Sequence, residues 1–381
     1  MDLGDEYSSP IEELNMTTTN VLSRRTFGHL VGFSALSVGG VRAGFSRPAK
    51  AAPHTPIRLS ANENPYGPSQ LAIDAMRDSM KLAWRYPDEA ADALVEGIAR
   101  LHSVSTDQVI LGDGSSEILK LAAAAYLDGS RKLVMADPTF EAIGFYARAA
   151  GAETVKVPLD SAYAHDLSKM AAANAGLIYI CNPNNPTASI TPKQPLRAFL
   201  DALPQTTMVL MDEAYHHYVE SADYESTVPL VAIRPNLIVS RTFSKIYGMA
   251  GLRCGYAIAQ RDVIRKLQQQ AAWDSTNVIA LAAARASLAD PRQVTEGRRR
   301  NSETKRELVG SLNKLGYKVI PSEANFIMIE MRRDVKPVIA TLRDRGVHVG
   351  RLFPSLPQHL RVTIGKPEQM QQFLDVFRAV A

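Results

Sequence analysis

Arg241-Thr242-Phe243-Ser244-Lys245-Ile246-Tyr247-Gly248-Met249-Ala250-Gly251-Leu252-Arg253-Cys254-Gly255 is the stretch on which the reading of this chain turns. Small hydroxyls frame one lysine, and an arginine among glycines stands eight positions on. Such a lysine suits an amine that must form an imine, which requires the free base near neutral pH and so a lowered pKa. The hydroxyls of Thr242 and Ser244 and the guanidinium of Arg253 are of the right kind to hold a phosphate beside it. Lysines near glycine turns are also often merely solvated, so the choice falls to the rest of the chain.

Three more runs bear on it. Cys181-Asn182-Pro183-Asn184-Asn185-Pro186-Thr187 follows a continuous apolar stretch, Ala175 to Ile180, which reads as a buried strand. Met208-Val209-Leu210-Met211-Asp212-Glu213-Ala214-Tyr215 reads as a second buried strand, ending on acids. Val109 to Leu111 is a short strand running into Gly112-Asp113-Gly114-Ser115-Ser116-Glu117, then an alanine-rich helix from Ile118 to Tyr126. A glycine turn feeding a helix N-terminus offers N–H groups and a positive dipole end to an anion. Ser115 or Ser116 suits a helix cap equally well.

Leu133 to Ala136, Thr154 to Val157, Leu237 to Ser240 and Gly255 to Ala259 supply further strands. Their apolar continuity, without alternation, predicts a sheet covered by helices on both faces, a doubly wound α/β arrangement. After about residue 295 the pattern changes. Tyr317 to Ile320, Asn325 to Ile329 and Leu360 to Ile364 read as strands, Val335 to Arg345 and Pro367 to Val380 as helices. This predicts a smaller α+β domain that also recruits the segment from Ile57 to about Tyr86.

Composition narrows the classes. A chain of 381 residues suits a large domain plus a smaller one. Hydrophobic content of 46% with 22% charge is ordinary for a soluble enzyme, and a net charge of +4 without a basic, aromatic-interleaved stripe gives no nucleic-acid signal. Arg298-Arg299-Arg300 reads as a solvated helix face. The two cysteines, Cys181 and Cys254, suggest neither a disulfide framework nor a metal site, and His216-His217 lacks a metal-type partner spacing.

The first fifty residues are different in kind. Ser23-Arg24-Arg25-Thr26-Phe27, an apolar stretch from Leu30 to Val41 and then Ala49-Lys50-Ala51 have the order of a twin-arginine signal peptide. From Met16 to Ala51 there are five basic residues and no acid, whereas residues 1–15 hold five acids, so Met16 is a candidate start. The apolar part is shorter than the roughly 20 residues that span a bilayer, so no stable membrane insertion is expected. Residues 1–51 are read as a leader for export, with a periplasmic destination. The alternative is a basic extension on a cytoplasmic protein.

The three runs around Asn185, Asp212 and Lys245, in this order, resemble the fold-type I, pyridoxal-phosphate-dependent aminotransferases of class I/II. Leu59-Ser60-Ala61-Asn62-Glu63-Asn64-Pro65-Tyr66-Gly67-Pro68 narrows the resemblance to the histidinol-phosphate aminotransferase branch. It runs from about residue 57 to the C-terminus. It implies an arm with part of the small domain over 52–86, a large cofactor-binding domain over 87–295 and a small domain over 296–381. The cofactor it implies is pyridoxal 5'-phosphate, attached through Lys245 as a Schiff base. Asp212 then matches the partner of the ring nitrogen, and Asn185 and Tyr215 the donors to the phenolic oxygen. Phe140 matches an aromatic stacked on the ring, though plain core packing also explains it. The phosphate falls to the amides of Ser115 and Ser116, to Thr242, Ser244 and Arg253, and to Tyr86 from a second subunit, which implies a homodimer with shared sites.

The same resemblance makes Arg361 the clamp for a substrate carboxylate, with Ala61, Asn62 and Tyr66 lining the mouth. The activity implied is ping-pong transfer of an amino group between a small amino donor and a 2-oxo acid. A lyase or decarboxylase resembling threonine-phosphate decarboxylase is the alternative on the same fold. Two positions depart from the pattern. Ala188 stands where a glycine is usual, which asks for a backbone that tolerates a Cβ. In Val347-His348-Val349-Gly350-Arg351-Leu352-Phe353-Pro354, Gly350 takes the place of an arginine for the substrate's phosphate, and Arg351 follows one position later. On a strand such a shift turns the side chain to the other face, leaving the role of Arg351 open.

Overall fold

The computed structural model describes residues 55–380. The leader expected over residues 1–51 lies outside the described residues. In chain order the elements are β1 Ile57–Arg58, α1 Gln70–Ser79, α2 Asp88–His102, β2 Val109–Gly112, α3 Ser115–Tyr126, β3 Leu133–Asp137, α4 Ala142–Ala149 and β4 Thr154–Pro158. There follow α5 Leu167–Ala172, β5 Leu177–Cys181, α6 Lys193–Ala202, β6 Met208–Asp212, β7 Leu237–Thr242, β8 Gly255–Ala259, α7 Arg261–Gln268 and α8 Val278–Leu288. The last are α9 Pro291–Lys314, β9 Lys318–Val319, β10 Phe326–Glu330, α10 Lys336–Asp344, β11 Val347–His348, β12 His359–Thr363 and α11 Pro367–Arg378.

Seven strands form one sheet in the order β2-β8-β7-β6-β5-β3-β4, and within it only β8 runs against its neighbours. Strands β5, β6, β7 and β8 are buried at every residue, as their unbroken apolar sequence requires. Alternate residues serve two cores. Ile178, Ile180, Val209 and Met211 join the first, with Ala72 and Ala280. Leu177, Tyr179, Met208 and Leu210 join the second, with Ile118 and Ile143. The period of two in a strand thus sorts every central side chain to one face or the other. The sheet is mixed and mostly parallel, the fold-type I arrangement.

A third core gathers Ile57, Leu59, Ile327, Val347, Leu360 and Phe373 around two smaller sheets, the parallel pair β1·β11 and the antiparallel set β12-β10-β9. The segment 52–86, read from sequence as arm and small domain together, divides: Ile57 and Leu59 go to the third core, while α1 contributes Ala72 to the first. The change of character expected near residue 295 falls inside α9. That helix is unbroken for 24 residues, with Val294 packed against the first core and Leu308 and Leu312 buried in the third. Its polar sequence reads as a boundary because only a narrow stripe of it is buried.

Candidate active site

The carboxyl ends of β5, β6 and β7 lie side by side, since Cys181 pairs with Asp212 and Asp212 with Ser240. Such an edge is where open α/β sheets hold their ligands. Asp212 ends β6 and follows Met208 and Leu210 onto the second core's face. It is 3% exposed. The Tyr179 hydroxyl donates to its Oδ2 at 2.8 Å, and the Ala214 N–H donates to its Oδ1 at 3.1 Å. Burial pushes the carboxyl pKa upward, and the hydrogen bond from Tyr179 is the chief opposing influence. A carboxylate so buried is stabilised most by a cationic N–H partner.

A few residues away the chain builds an anion cradle. Gly114, at φ +72°, turns β2 into α3, so Ser115 and Ser116 open the helix with N–H groups that no helical carbonyl can satisfy. Arg253 closes on the same spot: its Nη2 donates to the Asp113 carbonyl at 3.2 Å and its Nη1 to the Ala250 carbonyl at 3.0 Å. The Gly114 φ of +72° is one that L side chains rarely adopt, and a Cβ there would also displace the Arg253 guanidinium, whose Nη2 would lie 2.1 Å away. Thr242 donates to the Ser244 hydroxyl at 2.9 Å, and the Ser244 N–H returns to Thr242 Oγ1 at 3.0 Å. Arg253 Nη1 reaches Ser244 Oγ at 3.5 Å, which joins the two halves of the cradle.

Lys245 directly follows Ser244 of the cradle. Its Nζ donates to the Asn62 carbonyl at 3.2 Å and lies 5.5 Å from the centroid of the Tyr215 ring. Burial and the Arg361 guanidinium push its pKa down to about 8, with Arg253 adding to the fall and Glu63 and Asp212 opposing it. These groups therefore act on one amine and constitute one site. Asn62 is its organiser, held in the left-handed region at φ +54°. Its N–H donates to Thr363 Oγ1 at 2.9 Å, and its carbonyl also accepts from Asn325 Nδ2 at 3.1 Å. Its Nδ2 donates to the Tyr215 hydroxyl at 3.0 Å, which leaves the tyrosine's own proton to be given elsewhere. Arg361, 9% exposed, donates from Nη1 to Asn185 Oδ1 at 2.6 Å and from Nη2 to the Ser60 carbonyl at 2.8 Å.

Other residues singled out from sequence have surroundings of their own. Phe140 is half-buried just past β3 and packs against the second core. Tyr66, 37% exposed, has the cations Arg300 and Lys366 at 4.8 and 5.7 Å from its ring, so its aromatic face looks toward α9 and α11. Tyr86 is 79% exposed and projects from the segment before α2. Arg351 answers the question left by the one-residue shift. β11 ends at His348, so strand alternation does not reach position 351. Its guanidinium stacks on Phe353 at 4.5 Å, on the ring that Arg361 also meets at 5.1 Å, and bonds Glu141 at 2.5 Å. Both arginines line a cavity of about 290 Å³ with Ser60, Arg343 and His348. Gly350 passes so close that a Cβ there would lie 2.9 Å from Arg361 Cβ.

Ala188, in the other departure, does adopt φ +60°, the region glycine favours. The strain, about 1 kcal/mol for an L-residue, is offset by full burial and by hydrogen bonds at both its N–H (to Asn184) and its carbonyl (from Glu323), each 2.8 Å. Sequence reasoning missed Tyr179, Thr363 and Asn325, because one polar atom on a strand of apolar neighbours, or just before one, reads as packing. It also passed over the buried pair Arg241–Glu213 (2.8 Å), which ties the end of β7 to the residue after Asp212.

A buried carboxylate, a lysine of lowered pKa and a cradle of helix amides, hydroxyls and arginine are the donor set that suits pyridoxal 5'-phosphate, with its basic ring nitrogen, aldehyde and phosphate. The fold and this donor set define a class. The chain belongs to the class I and II aminotransferases, whose family pattern matches residues 54–377. Among its relatives it is 40% identical over 330 residues to the histidinol-phosphate aminotransferase of Moorella thermoacetica, covering 85% of each chain. It is 39% identical over 330 residues to that of Symbiobacterium thermophilum, covering 86% of this chain and 91% of the relative. The solved histidinol-phosphate aminotransferase of Sinorhizobium meliloti, in complex with pyridoxal-5'-phosphate, superposes with a TM-score of 0.81 at 25% identity, covering 89% of this chain and 100% of that one.

Proposed function

We propose that this chain is a pyridoxal-phosphate-dependent aminotransferase that moves an amino group between an amino acid, or an amine of the histidinol-phosphate kind, and a 2-oxo acid in ping-pong order. The observation that carries the reading is Lys245, a buried amine of lowered pKa on which the charges of Asp212, Arg361 and Arg253 all act and which Asn62 holds by its carbonyl. When bound, pyridoxal phosphate supplies an aldehyde that condenses with amines and a ring that draws electrons from the adjacent carbon.

The chain's own residues do the rest. Lys245, once its amine is free, would take the proton from the substrate's α-carbon as a general base and deliver it, as a general acid, to the cofactor's former aldehyde carbon on the far side of the shared nitrogen. Asn62 orients it through the carbonyl that accepts from Nζ. With the cofactor bound, Asp212 would hold a protonated ring nitrogen, Tyr215 and Asn185 would donate to its phenolic oxygen, and Phe140, beside the second core, would supply an aromatic face. The first-turn amides of α3, Thr242, Ser244 and Arg253 bind the phosphate. Arg361 would take the substrate carboxylate in its planar fork, and Arg351, which shares the Phe353 ring, would have to exchange its Glu141 partner to meet a second anionic group of the substrate. The close relatives' names support histidinol phosphate as a donor to test first.

The same reading makes the working unit a homodimer. Met80, Leu82, Trp84 and Tyr86 are exposed at 61, 38, 79 and 79%, a run of apolar surface that suits a second copy of this chain, with Tyr86 reaching the partner's phosphate cradle. The leader read over residues 1–51 supports export by the twin-arginine route, which carries folded proteins and so an enzyme already loaded with its cofactor. Two assays test the activity. Mixing the purified enzyme with candidate donors, histidinol phosphate among them, bleaches the visible absorbance without any 2-oxo acid present. Initial rates at varied donor and acceptor give parallel double-reciprocal lines. Intersecting lines, or release of carbon dioxide with no need of an acceptor, contradict the proposal.

A further inference from the structure

Tyr179 occupies the middle of β5 and is 0% exposed, its ring embedded in the second core. A phenol that deep requires a partner for its hydroxyl. Its partner is Asp212 on the neighbouring strand, 2.8 Å away, although in register Tyr179 pairs with Leu210 and it is Cys181 that pairs with Asp212. The hydroxyl therefore reaches diagonally along the shared face to the carboxylate at the strand's end. We propose that Tyr179 is a positioning residue that keeps Asp212 ionised and oriented, and thereby sets how tightly the chain holds a cationic ring nitrogen.

The chemistry favours this direction. Burial strips Asp212 of hydration and favours its neutral acid, which has no charge to offer a pyridinium. A donated hydrogen bond favours the carboxylate instead, and Tyr179 supplies the stronger of the two it receives. The phenol cannot lose its proton in exchange, because burial and the Asp212 charge push its own ionisation far upward. The Ala214 N–H fixes the other oxygen, so the carboxylate is tied at both atoms and cannot rotate. Tyr179→Phe removes one oxygen and no packed volume, so the core is kept and the donor is lost.

The inference rests on the cofactor reading above, and its test separates the two. The cofactor is stripped from the wild type, Tyr179→Phe, Asp212→Asn and the double variant. Each apo-protein is titrated with pyridoxal phosphate between pH 5 and 9, and its unfolding midpoint is measured alone. The expected result is that apo Tyr179→Phe still unfolds in one cooperative transition, at a somewhat lower midpoint because a buried carboxylate has lost a donor. Its affinity falls about ten- to a hundredfold, the size of one hydrogen bond to a charged group, with the acid limb of the affinity profile moved to higher pH. In the Asp212→Asn background the same substitution costs less than about twofold, because the group it acts through no longer titrates. An equal loss in both backgrounds, an unmoved acid limb or an unaffected affinity overturns the role of Tyr179 while the cofactor reading stands. Failure of the wild-type apo-protein to bind pyridoxal phosphate overturns both.

Discussion

At the scale of the residue, Lys245 works as a base only as far as its surroundings refuse its charge. Burial and Arg361 supply that refusal, and the pKa falls to about 8 from the ordinary lysine value. The sign follows: below pH 8 the ammonium dominates and cannot attack a carbonyl, and above it the free amine does. The rate at which apo-protein reacts with pyridoxal phosphate, followed by visible absorbance, should therefore rise with pH to half its plateau near 8. A rise that continues toward the value of an unperturbed lysine would remove Lys245 from the role. Replacing Arg361 by methionine takes away the second cause and should shift that midpoint upward, with loss of substrate affinity as a separate effect.

Among the elements, the parallel strands do the positioning by ending together, and buried charges fix where they end. Glu213 accepts from Arg241, Ser226 and both the N–H and hydroxyl of Thr227, with side-chain exposures of 6% for Arg241 and 1% for Glu213. Arg241→Leu leaves that carboxylate buried without its cation and should cost about 3–5 kcal/mol in urea-induced unfolding of the apo-protein. Arg241→Leu with Glu213→Leu together should recover much of the loss. This is also where sequence legibility ends. Apolar runs announced β5 through β8 because strands covered on both faces leave no polar residue inside them. The Lys245 and Asp212 positions were legible because polar residues at the ends of such runs stand out. Tyr179, Asn325 and Thr363 were not, since their roles depend on which strands lie side by side, and no local spacing encodes that. The passage of α9 from one core to the other was hidden for a similar reason: Val294, Leu308 and Leu312 are too sparse to mark a stripe.

For the whole molecule, two contacts seat the segment after β11 on the loop that carries Phe140. Arg351 bonds Glu141 at 2.5 Å, and Ser355 donates to Asp137 at 2.6 Å. The small sheets and the large one thereby share the site, with Asn62 and Arg361 from one side and Lys245, Tyr215 and Asn185 from the other. The exposed run Met80 to Tyr86 predicts that sedimentation will find a dimer in solution. Trp84→Glu should dissociate it and weaken cofactor retention together, because the proposed Tyr86 contact is lost with the interface. A fully active monomer would refute the shared site. The central claim is the bond at Lys245, and borohydride reduction of the cofactor-loaded enzyme followed by digestion and mass spectrometry reads it directly. The phosphopyridoxyl label is expected on the peptide containing Lys245 and is expected to be absent from Lys245→Ala; label on another lysine, or none, would contradict a Schiff base at this position.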